Sequence, residues 1–350
     1  MKIIKVKDAL ELENTIFIDV RTESEYNEDS ILNAFNMPLF KDNEHNEVGT
    51  IYKMQGKHEA IQKGFDYVAY KLKDIYLQTT RLASEYENIV VYCARGGMRS
   101  GSIVNLLSTL GVNVYQLEGG YKAYRNFVLD YLETIMDTKK FIVVHGLTGV
   151  GKTDLLKMLE EKNVDNIDLE GIAKNSGSTF GFITFDEKPP TQKRFETNIF
   201  EELFFSKTDA LFIESESKRV GHVCIPNEIY EGIVREGYHL LLECSLENRV
   251  NRLCRDYIYD KDKKNINVLK DCISKFRKRL GHKKVDEYIN LLEEGKYEGL
   301  VEKYLVEYYD PLYMHSVEKY TYNKVINFDN MDKALDEAIK FHKAATEGAI

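Results

Sequence analysis

In "VVHGLTGVGKT" (Val143 to Thr153) an apolar run stops at a glycine, turns through two more, and resumes as a helix-like segment after a lysine. Gly146, Gly151, Lys152 and Thr153 satisfy G-x-x-x-x-G-K-[ST] at every fixed position, with a strand before and a helix after. In such a loop the backbone N–H groups of Gly146, Thr148, Gly149 and Gly151 cradle a phosphate and Lys152 neutralises it. Thr153 is placed to ligand Mg²⁺. Hydrolysis has weaker support, because the nearest acidic strand end, "LFIESES", offers Glu214 and Glu216 instead of an aspartate. No residue clearly positions a water. Binding a diphosphate therefore ranks above cleaving ATP.

Outward from this loop, "FIVVHG", "DALFIES" and "YHLLLEC" are continuous apolar runs of the kind buried in parallel sheets. "KTDLLKMLEEK" is the helix that follows the loop, and the last third is helical, most clearly in "LEEGKYEGLVEKYLVEYY". Upstream, "TIFIDVR", "NIVVYC" and "VNVYQLEGG" are further strands, and "RSGSIVNLLSTLG" reads as a helix ended by Gly111. Strand, helix and strand in that order predict an α/β fold with parallel sheets. The charged stretch "YLETIMDTKK" is a connector, giving domains at 1–134 and 135–350.

The chain of 350 residues carries a formal net charge of −9, which argues against nonspecific nucleic-acid binding by its whole surface and against DNA as a partner. A local basic stretch exists: "KFRKRLGHKK" includes Lys275, Arg277, Lys278 and Arg279. Arg249, Arg252 and Arg255, at helical spacing, could extend it along one face or pair with local acids. No apolar run approaches the roughly 18 residues of a membrane span, and charges interrupt the N-terminus where a signal peptide would be apolar. The expectation is a cytoplasmic protein with no membrane partner. Five cysteines without a C-x-x-C pair support neither zinc nor a disulfide framework.

One cysteine stands apart. In "VVYCARGGMRS" (Val90 to Ser100), Cys93 lies where a strand gives way to a helix, facing unpaired N–H groups and the positive end of the helix dipole. Those features favour the thiolate. Gly96, Gly97 and Met98 form the rest of an anion cradle, and Arg95 and Arg99 supply charge. Five residues separate Cys93 from Arg99, the C-x5-R spacing of cysteine phosphatases. Simple thiosulfate sulfurtransferases have a loop one residue shorter.

The first part resembles a rhodanese-type domain. "FIDVRTESEY", with Asp19 and Arg21, is similar to that family's strand end, and "SILNAFNMPL" to its second block, though Ser30 and Asn33 stand where His and Gly are usual. A rhodanese-like domain followed by a P-loop domain resembles the tRNA 2-selenouridine synthase family over nearly the whole chain. The shared motifs include "EVGTIYKMQG", "CARGGMRS", "GSTFG" with Ser178, "ESESKRVG", "IPNEIY" and "YYDPLY"; Ala94 replaces a frequent Trp.

The resemblance implies two activities on the wobble uridine of tRNA. Geranyl diphosphate alkylates the 2-thio sulfur, and selenium from selenophosphate then replaces the geranyl thiol. Cys93 would carry the selenium as a selanyl sulfur, and an enzyme supplying selenophosphate would be a partner. The P-loop would hold the departing diphosphate, with ATP as the competing ligand. Three alternatives stay open: a sulfurtransferase with an ATP-binding half, a C-x5-R phosphatase, and a regulatory protein with a redox-sensing Cys93.

Overall fold

The computed structural model describes residues 2–176, 180, 181, 183, 185, 187–259 and 264–349. Ser178 lies outside them. The chain divides into two compact units, Met1–Tyr131 with Glu196–Asn198, and Leu132–Phe195 with Ile199–Ile350.

In the first unit, β1 (Lys2–Ile4), β2 (Thr15–Asp19), β3 (Phe35–Asn36), β4 (Asn88–Tyr92) and β5 (Val114–Leu117) form one sheet in the order β1-β5-β4-β2-β3. Every pairing is parallel. β4 is buried from Ile89 to Tyr92, which explains its unbroken apolar sequence: a parallel strand covered on both faces has no polar side. Helix Met98–Thr109 follows β4 and buries Ile103, Val104 and Leu107 against this core. Gly111, at φ +88°, ends it as expected.

The second unit contains β6 (Lys140–His145), β7 (Asn166–Ile167), β8 (Ala210–Glu214), β9 (Arg219–Val220), β10 (Val223–Cys224), β11 (Tyr238–Glu243) and β12 (Lys324–Asn327). Its main sheet runs β12-β11-β6-β8-β7, all parallel, while β9 and β10 pair antiparallel. β6 is central, so the loop that follows it opens at the carboxyl edge of the sheet, where open parallel sheets bind ligands. A second core is helical, built from Phe276, Tyr288, Leu300, Tyr304 and their neighbours. The long C-terminal run is two helices, His282–Glu293 and Tyr297–Tyr304, separated at Gly295 with φ +73°.

Candidate functional site

Two sites follow from these sheets, one in each unit. Cys93 follows β4 directly and is 3% exposed. The loop after it keeps its carbonyls outward. Cys93 O accepts from Tyr121 N at 2.8 Å and Ala94 O from Lys122 N at 3.0 Å, both at the start of helix Gly120–Glu133. Gln116 Nε2, on β5, donates to Gly96 O at 2.7 Å and Gly97 O at 3.3 Å. All peptides here are trans, so each fastened carbonyl turns the next N–H to the opposite side. The amides of Ala94, Arg95, Gly97 and Met98 therefore point away from the groups that fasten these carbonyls, and the Arg95 amide bonds Cys93 Sγ. The close approach demands glycine at position 120, where a Cβ would lie 2.2 Å from Cys93 O.

Ser100, which sequence reasoning passed over, donates its hydroxyl to Cys93 Sγ at 3.2 Å. Gln116 Nε2 donates in turn to Ser100 Oγ at 3.0 Å, and the serine hydroxyl has Gly97 O as its other acceptor, at 3.4 Å against 3.2 Å to the sulfur. Burial pushes the Cys93 thiol up. The Ser100 hydroxyl, the Ser100 and Arg95 amides and the Arg99 charge outweigh it, so the thiol sits below its ordinary value. A Ser100→Ala variant should raise the pH midpoint of Cys93 alkylation by iodoacetamide by about one unit, the worth of a hydrogen bond to a charged group. An unchanged midpoint would remove Ser100 from this role.

The two loop arginines differ. Arg95 is exposed and has no ion pair among the described residues. Arg99 pairs with Glu25 Oε2 at 2.9 Å, within the helix Glu23–Glu28. Burial pushes the Glu25 carboxyl up, but Arg99 and the Thr22 amide bring it below the usual range. Asp19 and Arg21 form a buried pair of their own, with Nη2 to Oδ2 at 2.6 Å. The guanidinium also donates to Asp29 O at 2.7 Å and lies 3.9 Å from the Tyr121 ring centroid. Both are buried, and the pair fastens the end of β2, whose last residue is Asp19.

The P-loop uses the same device. Arg249 Nε takes Thr148 O at 2.9 Å and Arg252 Nη1 takes Gly149 O at 2.7 Å. Arg249 is anchored to Asp310 by two bonds of 2.6 and 3.0 Å, Arg252 to Asp154 at 2.7 Å. This corrects the expectation that Arg249 and Arg252 belong to a tRNA-facing surface. Their i,i+3 spacing on helix Leu246–Cys254 points them onto the loop, where carbonyls and carboxylates satisfy buried guanidinium donors. Arg255 likewise reaches Asp154 and Asp256. Of the basic stretch, Arg277 pairs with Asp286 at 2.7 Å and Arg279 donates to Tyr308 Oη at 2.9 Å. Lys275 and Lys278 are exposed and unpaired among the described residues. Asp310 belongs to "YYDPLY", so that motif supports the phosphate loop.

Thr153 Oγ1 donates to Glu214 Oε1 at 2.9 Å. A hydroxyl and a carboxylate side by side fit Mg²⁺, which takes oxygen ligands and keeps several waters. Around Lys152 stand Glu214, Glu216 and a residue the sequence did not disclose, Glu170. Burial opposes the Lys152 charge, and these three carboxylates more than restore it. Burial, with Asp168 and Glu216 adding, pushes Glu214 up to about 8 against the opposing pull of Lys152. Burial and its acidic neighbours drive Glu170 well above the carboxylate range. Behind the loop, His145 contacts His239 across β6 and β11 at 2.8 Å.

A cavity of about 710 Å³ opens on this loop. Its lining includes Gly149, Gly151, Lys152, Thr153 and Glu216 of the loop and its surroundings, and Phe180, Leu269, Ile273, Leu300, Val301 and Leu305 of the helical core. Tyr309 and Tyr313, ring centroids 5.9 Å apart and stacked, also line it.

A family model described as "tRNA 2-selenouridine synthase AAA domain" matches residues 139–345, and one described as "Rhodanese-like domain" matches residues 4–127. A tRNA 2-selenouridine synthase of Pseudomonas syringae pv. syringae (strain B728a) is 32% identical over 339 residues, covering 89% of this chain and 90% of the relative. One of Shewanella frigidimarina (strain NCIMB 400) is 29% identical over 361 residues, covering 95% and 96%. The crystal structure of an N-terminal domain from Clostridium difficile 630 is 81% identical, covers 37% of this chain and 99% of that one, and has a TM-score of 0.36. With both domains matched in order, the chain belongs to the tRNA 2-selenouridine synthase family.

Proposed function

We propose that this enzyme converts 2-thiouridine at the tRNA wobble position to 2-selenouridine through S-geranyl-2-thiouridine, using geranyl diphosphate and selenophosphate in the cytoplasm. The observation that carries the diphosphate half is the lining of the cavity. One cavity is lined both by the phosphate loop and by an aliphatic and aromatic cluster of the helical core, a pairing that suits an anionic head with a hydrocarbon tail. A base or ribose seated against Leu269, Ile273 or Leu300 would find no hydrogen bonds there.

In the first step the thiocarbonyl sulfur attacks the allylic carbon, the carbon–oxygen bond breaks, and the uracil N3 proton is released. The P-loop amides and Lys152 stabilise the charge that grows on the departing diphosphate. Mg²⁺, held by Thr153 and Glu214 through its waters, would neutralise more of that charge. S-alkylation makes the sulfur a good leaving group. In the second step selenium enters at C2 and geranyl thiol departs, with the cysteine loop holding the selenophosphate tetrahedron. The relatives' shared name supports tRNA as the substrate, and exposed Lys275 and Lys278 are candidate contacts.

The test is an incubation with 2-thiouridine tRNA, geranyl diphosphate and selenophosphate, without ATP, followed by nucleoside mass analysis. Conversion of sulfur to selenium upholds the proposal; dependence on ATP overturns its assignment of the P-loop. The chamber gives a further prediction. Val301 is only partly buried and lines it, so Val301→Phe should fill tail space without opening a core cavity. Affinity for geranyl diphosphate should fall about tenfold, equivalent to ~1.4 kcal/mol or nearly two buried methylenes. Affinity for inorganic diphosphate should not change; equal losses for both would place the tail elsewhere.

A further inference from the structure

We infer that Cys93 attacks the phosphorus of its tetrahedral substrate, so that the loop accepts a phosphoryl group and releases selenium as hydroselenide. The inference rests on the selenophosphate reading of the loop and deepens it. It also moves the point of attack away from selenium, where the sequence reading had placed it.

Electron counting makes the first argument. If the thiolate bonded to selenium, the phosphorus–selenium electron pair would stay on phosphorus. The products would be a sulfur–selenium bond and phosphite, with phosphorus reduced by two electrons, and an oxidant would be needed to reach phosphate. Attack at phosphorus has no such imbalance. The sulfur–phosphorus bond forms, the phosphorus–selenium bond breaks, and the pair leaves on selenium as hydroselenide while phosphorus keeps its oxidation state. Water then attacks the phosphoryl-cysteine, returning the thiolate and giving phosphate and a proton. Hydroselenide adds at C2 of S-geranyl-2-thiouridine and geranyl thiol leaves with one proton.

Geometry makes the second. The amides of Ala94, Arg95, Gly97 and Met98, turned away from the groups that fasten the neighbouring carbonyls, are donors for oxygen, which selenium matches poorly. Holding three oxygens in that nest centres the phosphorus over the sulfur at its base and turns selenium outward, opposite the nucleophile. Attack at selenium would need the reverse pose, with the oxygens facing away from the donors that the loop has aligned. Arg95, exposed and with no ion pair among the described residues, is placed to close over the oxygens.

The third argument is the leaving group. An alkoxide leaves phosphorus only with a proton from a general acid. Glu25, the carboxylate on Arg99, is fastened by Arg99 at 2.9 Å and by the Thr22 amide at 3.1 Å, so it donates no proton. Hydroselenide is a weak base and needs none. The same loop should therefore cleave activated aryl phosphates such as p-nitrophenyl phosphate, whose stabilised phenolate leaves unaided, and spare alkyl phosphates.

The experiment incubates the full-length protein with selenophosphate and no tRNA, with Cys93→Ser as control. Intact mass, ³¹P spectroscopy and alkylation of released selenide are then read together. The two adducts have nearly equal mass, and selenium's broad isotope pattern separates them. The expected result is a phosphorus adduct on Cys93 without that pattern, trapped hydroselenide, and phosphate as the only phosphorus product. A selenium isotope pattern on Cys93, or phosphite with its phosphorus–hydrogen splitting, overturns the inference. If selenophosphate is not consumed at all, the selenium reading of the loop fails, and p-nitrophenyl phosphate run in parallel decides the attack. Cleavage lost in Cys93→Ser, with ethyl phosphate untouched, upholds attack at phosphorus; no cleavage overturns it.

Discussion

Lys152→Ala should lower geranyl transfer to 2-thiouridine tRNA by about 10²- to 10³-fold, the range seen when one preorganised charge-stabilising donor is removed. Two effects combine. The leaving diphosphate loses the cation aimed at it, and Glu170, Glu214 and Glu216 lose the charge that offsets their repulsion. Their carboxyls should then protonate at still higher pH, which limits the cost to folding. The assay has an internal control. The variant, given tRNA already carrying S-geranyl-2-thiouridine, should still insert selenium, because the cysteine loop belongs to the other sheet. Geranyl transfer at the parental rate would show that the diphosphate leaves from another place.

Cys93→Ser should show the opposite pattern. Selenium insertion should fall below detection, since the contacts that lower the pKa of the thiol cannot make a serine hydroxyl a comparable nucleophile. Geranyl transfer should continue, so S-geranyl-2-thiouridine should accumulate. The substitution removes little volume and leaves Ser100 able to bond the new hydroxyl while Gln116 still holds Ser100, so the loop should keep its shape. Normal selenium insertion by this variant would mean that the loop only binds the donor. Together the two variants assign one step to each cradle, and neither result follows from a general loss of structure.

Both loops were legible because the signal in each is local. A glycine-rich turn between a buried strand and a helix is written in about ten consecutive residues, and backbone amides supply the chemistry. What fastens the carbonyls was not legible. Gln116 sits 20 residues beyond Gly96, and Arg249 and Arg252 reach back about 100 residues to Thr148 and Gly149. In sequence these arginines resemble a charged surface stripe. Only the fold shows that P-loop carbonyls and Asp310 and Asp154 consume their donors. Glu170 stayed hidden for the same reason, since it lies on a short helix distant in sequence from both Lys152 and Glu214. The resemblance of "YYDPLY" to the family gave a motif without a role, and the ion pair at Asp310 supplies one. Asp19 and Arg21 show the converse: their pattern was recognised, and their side chains are bonded to each other in a buried pair.

The central claim, two anion cradles with a hydrocarbon chamber behind the second, is tested most directly by a crystal structure with an unreactive geranyl diphosphate analogue whose bridging oxygen is replaced by sulfur. The account predicts diphosphate density on the amides of Gly149 and Gly151 and on Lys152, with the tail lying among Leu269, Ile273, Leu300 and Val301. Density for the analogue away from the P-loop, or an ATP molecule displacing it with adenine seated in that chamber, would contradict the account.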